Sequence, residues 1–93
     1  MSDMTRKRRH YHNRLRRHRR IIGYSQKQVA WLLGHKSTSS LSRWEKGSAM
    51  PSVENLLRLG FLYRTLCDEL YRDLGLEFRQ VLHEREKQLI GCE

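Results

Sequence analysis

The chain repeats one pattern: apolar residues three or four positions apart, in short runs closed by glycine or proline. That spacing is helical. Over residues 11–22 no Gly or Pro intervenes, and Leu15, Arg19 and Ile22 share a face, so a first helix is expected there, stopped by Gly23. Ser25 stands three residues before Gln28, the spacing of a capping box, and Tyr24 can pack on Val29 as a hydrophobic staple. With the stripe Val29, Leu32 and Leu33, these predict a second helix over 26–33, closed by Gly34. Ser37 or Thr38 can cap a third helix ending near Lys46 and Gly47, with Leu41 and Trp44 inward and Ser39, Ser40 and Arg43 outward. Pro51 is a boundary, and Ser52 can cap a fourth helix over 53–63. Its apolar stripe reads Val53, Leu56, Leu57 and Leu59, extended by Phe61 and Leu62. A fifth element over 67–74 carries the stripe Leu66, Leu70 and Leu74. After Gly75 a last helix over 76–90 shows Phe78, Val81, Leu82 and Leu89. No stretch alternates and no hairpin turn occurs, so the fold class is all-α.

Length and charge narrow the reading. Ninety-three residues make one domain with a small core, which disfavours an enzyme with a deep, water-excluding pocket. The organisation expected is a disordered basic arm over 1–10, a bundle over 11–74 and a C-terminal helix over 75–93. The net charge is +9, of which residues 1–20 contribute +8, while residues 61–93 sum to −2. A front-loaded positive charge suits a polyanion, and nucleic acid is the first candidate. Between Thr5 and Arg20 only Tyr11 and Leu15 are apolar, so that segment is a poor membrane anchor. No apolar run reaches spanning length, and none follows the basic N-terminus as a signal peptide requires. Cys67 and Cys92 are too few for a disulfide framework, which favours reduced thiols and a cytoplasmic location. His10, His12 and His18 lack cysteine partners, and His83-Glu84 lacks the second histidine of a zinc motif, so no metal or other cofactor is expected.

Two short helices joined by a glycine-started turn make a helix-turn-helix pattern. Ala30 is small where a crossing helix must come close, and Gly34 allows the left-handed turn. Ser25-Gln26, Val29-Ala30, Leu33-Gly34, the run Leu41-Ser42-Arg43-Trp44-Glu45-Lys46-Gly47, and Pro51-Ser52 together resemble the Cro-repressor (Xre) type of helix-turn-helix proteins. Cys67-Asp68-Glu69-Leu70 matches the start of that family's fifth helix, so the resemblance covers residues 13–71. It implies a five-helix bundle, here with an extra C-terminal helix, that binds operator DNA as a dimer. By the same resemblance Gln26 caps the second helix and touches a phosphate, Lys46 and the Gly47 backbone meet phosphate, and Arg19 pairs with Glu45 in a buried salt bridge. Ser37, Thr38, Ser39, Ser40 and Arg43 would form the recognition surface. The turn is one residue longer than the common pattern, which leaves open whether Lys36, Ser37 or Thr38 first reaches a base. His18 also departs from the family, which usually has an apolar residue there.

The residues support the same function independently. An arginine can bond guanine's two major-groove acceptors, so Arg43 is expected to carry most of the direct readout. Arg14, Arg16, Arg17 and Arg20 on the first helix suit phosphates or a minor groove. The last helix either packs back on the bundle or forms a two-fold seam, and the homodimer is preferred. The expectation is a sequence-specific transcriptional regulator, a repressor of a palindromic operator in double-stranded DNA, with any effector unspecified. Two alternatives stand beside it: an antitoxin-like module holding a protein through the C-terminal helix, and an RNA binder using the arginine-rich arm.

Overall fold

The computed structural model describes residues 10–91, and the expected arm falls outside them apart from His10, as does Cys92. Six helices follow in order: α1 Leu15–Ile22, α2 Gln26–Leu32, α3 Ser39–Lys46, α4 Val53–Tyr63, α5 Cys67–Leu70 and α6 Arg72–Gly91. The described residues contain no strand, and the chain is an all-α helix-turn-helix bundle.

Local chemistry sets most boundaries. The capping box forms in full: the Ser25 hydroxyl accepts from the Gln28 N–H at 3.0 Å, and the Gln28 side chain accepts from the Ser25 N–H at 2.9 Å. The Ser52 hydroxyl accepts from the Asn55 N–H at 3.1 Å and starts α4. Just past α2, Gly34 takes φ +80°, and the Gly34 and His35 N–H groups return to the carbonyls of Trp31 and Ala30. That is a Schellman stop, and it sends the chain into the turn before α3.

The core joins Leu15 of α1, Val29 and Ala30 of α2, Leu41 and Trp44 of α3, Leu59 and Tyr63 of α4, and Leu70, Tyr71 and Leu74 beyond. Among the described residues the buried Tyr71 hydroxyl has no hydrogen-bond partner, and burial pushes its pKa up to about 12.

Four expectations need correction. First, α1 begins at Leu15, not at residue 11. The Asn13 carboxamide accepts from the Leu15 N–H at 3.0 Å, and the same side chain donates to the Trp44 carbonyl at 2.8 Å. Residues 10–14 are therefore a strap pinned across the end of α3. Second, α4 is apolar on two sides. Leu59 and Tyr63 are buried and Leu56 is half-buried, whereas Val53, Leu57 and Phe61 face solvent. Third, α4 ends on Arg64, a non-glycine residue in the left-handed region at φ +56°. Fourth, α5 stops at Leu70, and Gly75 does not interrupt the next helix: its N–H bonds the Tyr71 carbonyl at 2.8 Å inside the run from Arg72. A glycine stops a helix only where the following backbone supplies the return bonds; mid-helix it costs about 1 kcal/mol relative to alanine. From Gly75 to Gly91 every residue of α6 is exposed, so this helix does not pack back on the bundle.

Candidate nucleic-acid interface

The helix pair α2–α3 is held from below by one ion pair. The Arg19 guanidinium donates to both Glu45 carboxylate oxygens, at 2.7 and 3.1 Å, and to the Tyr24 carbonyl at 2.9 Å. Both side chains are nearly buried, at 10% and 3% exposure. Gln26 donates to the same carboxylate at 2.9 Å, and the Arg16 guanidinium lies 3.6 Å from it. Burial pushes the Glu45 pKa up, but hydrogen bonds from Arg19 and Gln26, aided by the charges of Arg19 and Arg16, outweigh it and hold the carboxyl below its ordinary value. The salt bridge ties α1 to α3 and fixes the angle at which α3 stands.

With Leu41 and Trp44 buried beneath it, α3 turns its other side outward. Arg43 and Ser39 are exposed, and Ser40 is half-buried. Among the described residues the Arg43 guanidinium has no hydrogen-bond or ion-pair partner, and neither do the ammonium groups of Lys36 and Lys46, both exposed. In the turn, the Ser37 hydroxyl accepts from the Ser39 N–H at 3.3 Å, whereas Thr38 stands at the cap position with no side-chain cap bond. The His35 ring packs edge-on against Trp44, with centroids 5.9 Å apart. His35 is thus anchored on α3, while Lys36 and Ser37 are exposed and Thr38 is half-buried.

The residues expected on phosphates divide into two groups. Arg17 and Arg20 are exposed and have no partner among the described residues, and Arg16 is more than half exposed despite its distant contact with Glu45. Arg14, Gln26 and Gly47 are committed inside the fold. Arg14 lies 2.9 Å from Glu69 and 3.7 Å from Asp73. The Gln26 carboxamide donates one hydrogen bond to Glu45. Gly47 is buried, its N–H donates to the Trp44 carbonyl at 3.0 Å, and its carbonyl takes the Tyr11 N–H at 2.8 Å. A Cβ there would meet the His10 ring and the Tyr11 carbonyl at 3.0 Å, so the strap requires glycine for space as well as for its φ of +83°. Of the three only the Gly47 N–H is fully used; the Arg14 guanidinium and the Gln26 carboxamide, both half-buried, engage acidic side chains with part of their donor set and keep further N–H groups.

Two supporting groups escaped the sequence reading. Asn13 carried a readable signal, since Asn is a preferred residue just before a helix. Glu69 carried none. It gathers Arg14 at 2.9 Å and His18 at 3.3 Å, partners more than fifty positions away. That contact accounts for a polar residue at position 18: His18 is half-buried against a carboxylate. Hydrogen bonds from Arg14 and His18 hold the Glu69 carboxyl below its ordinary range.

A partly buried pair of short helices, with the second one's polar face open and cationic, defines a DNA-binding helix-turn-helix domain. A family model described as Helix-turn-helix matches residues 15–60. The chain is a helix-turn-helix protein of the Cro-repressor, Xre-like type over that segment. Comparisons with curated proteins and with solved structures found no match. The family is one of DNA-binding regulatory domains and not of enzymes. Among the described residues no helix is long and apolar enough to cross a membrane.

Proposed function

We propose that this protein is a sequence-specific transcriptional regulator, acting as a repressor, which binds a palindromic operator as a homodimer through α3. The carrying observation is the Arg43 guanidinium, exposed and with no partner among the described residues, on a helix whose opposite face is locked by Leu41, Trp44 and the Arg19–Glu45 pair. A rigid helix with a free arginine fork is what major-groove readout of guanine needs. Ser39 and Ser40, with Lys36, Ser37 and Thr38 in the turn before them, offer hydroxyl and ammonium donors to neighbouring bases. Lys46, Arg16, Arg17 and Arg20 supply phosphate contacts that position α3 without reading sequence. The strap bond from Tyr11 to Gly47 brings the chain into the fold beside the C-terminal end of α3.

Selection of bound sequences from a random duplex pool tests this reading. An inverted repeat with half-sites about one helical turn, ~34 Å, apart is the expected product. A pool that yields no enriched motif, or a clear preference for structured RNA over duplex at matched salt, overturns it.

A further inference from the structure

Two apolar surfaces of this chain have no partner among its described residues. One is the outer side of α4, where Val53, Leu57 and Phe61 form an i, i+4, i+8 ridge exposed at 74%, 61% and 83%. Leu32 at the end of α2 and Leu33 just after it wall one flank of that ridge, making a groove, and Leu66, also exposed, continues it beyond the end of α4. The other is α6. Phe78, Val81, Leu82 and Leu89 fall on one side of that helix and are exposed at 51% to 64%. A helix of 20 residues is about 30 Å long, and one standing in water with a bare apolar side is marginal without something packed against it.

We infer that α6 of each copy lies in the α2–α4 groove of a second copy, so that two chains exchange their C-terminal helices. This deepens the homodimer part of the reading above by naming its seam. Area decides between this and a seam of α6 against α6 alone. The largest apolar patch on a typical monomer is ~300–600 Å², and a monomer of this chain would bare two patches of that size. At the exposures given, each surface offers on the order of 400–500 Å² of apolar area, and the two together about 900 Å² per chain, against the ~800 Å² per partner of a standard interface. Either surface by itself falls short; only the exchange covers both. The exchange is also isologous: the ridge on one chain meets the stripe on the other, and the reverse contact repeats it. Ridge-into-groove packing needs a row of side chains facing a furrow, and the α6 stripe and the α2–α4 groove are such a pair.

The test is complementation in trans. Leu57→Glu spoils the groove and Leu82→Lys spoils the stripe, and both residues are exposed, so far-UV circular dichroism should show each bundle folded. Under sedimentation at tens of micromolar, the wild-type chain is expected as a dimer and each variant alone as a monomer. An equimolar mixture should dimerise at least tenfold more tightly than either variant. In the mixed dimer one seam sets the introduced carboxylate against the introduced ammonium, and the other seam is wild type. A monomeric wild-type chain, a Leu57→Glu variant that still dimerises, or a mixture that stays monomeric overturns the inference. Binding of each variant to a duplex carrying one half-site is read separately: its retention shows that the seam alone was lost. A wild-type chain that binds no duplex would instead count against the operator reading.

Discussion

Replacing Glu45 with alanine leaves the Arg19 guanidinium, 10% exposed, facing a void where two charge-assisted hydrogen bonds had been. Arginine cannot shed its proton to escape burial. Its remaining bond is to the Tyr24 carbonyl, and Gln26 and Arg16 lose the same acceptor. Breaking a buried pair by removing one partner costs about 3–5 kcal/mol. For a domain of this size each kcal/mol moves the midpoint by ~4–8 °C, so thermal unfolding should fall by at least ~12 °C. The double variant Arg19→Met/Glu45→Leu removes both charges and fills the space with apolar atoms, and such replacements are often neutral or stabilising. It should recover most of the loss. Circular dichroism melts of the wild-type protein, both single variants and the double variant make the cycle. A Glu45→Ala cost below about 1 kcal/mol, or a double variant no better than that single one, would refute the argument that this pair holds α1 to α3.

Acidification probes the same carboxyl. Its folded-state pKa lies below its unfolded value, as does that of Glu69, so their stabilisation is full above the ordinary carboxylate range and is lost as pH falls through the lowered values. Urea midpoints should drop below about pH 4, and less steeply in Glu45→Gln; identical slopes would count against it. Arg43→Ala should cost about 1–3 kcal/mol at one base position and flatten preference there, measured by competition among operator variants. Arg17→Ala and Arg20→Ala should each weaken binding evenly across sequences and lower the salt slope by ~0.9; a base-specific effect from either would contradict the phosphate role. Tyr71→Phe removes a buried hydroxyl with no partner among the described residues and should raise stability by about 1 kcal/mol or more by urea titration. Arg64→Gly relieves a left-handed residue at φ +56° and should add up to ~1 kcal/mol in the same assay.

Caps, turns and helix periods were legible in the chain because they depend on neighbours a few positions away. Ser25 with Gln28 starts α2, and Gly34 ends it, for reasons contained in ten consecutive residues. The inward pair Leu41 and Trp44 followed from spacing, and it implied the outward Arg43. The Arg19–Glu45 bridge was reached only through the family resemblance.

Tertiary structure decided what local pattern leaves degenerate. The sequence of α4 is apolar on two sides, so its period admits both the buried side at Leu59 and Tyr63 and the bare one at Val53, Leu57 and Phe61; only the neighbouring helices choose. Arg14 and Arg17 look alike in a basic run, yet one meets Glu69 from a distant helix and the other has no partner among the described residues. Gly75 reads as a stop and Arg64 does not, although the chain turns at Arg64 and runs straight through Gly75. Periodicity and capping are short-range energies and are written along the chain. Which charge is spent, which apolar side is covered and where a helix bends depend on residues brought together across it.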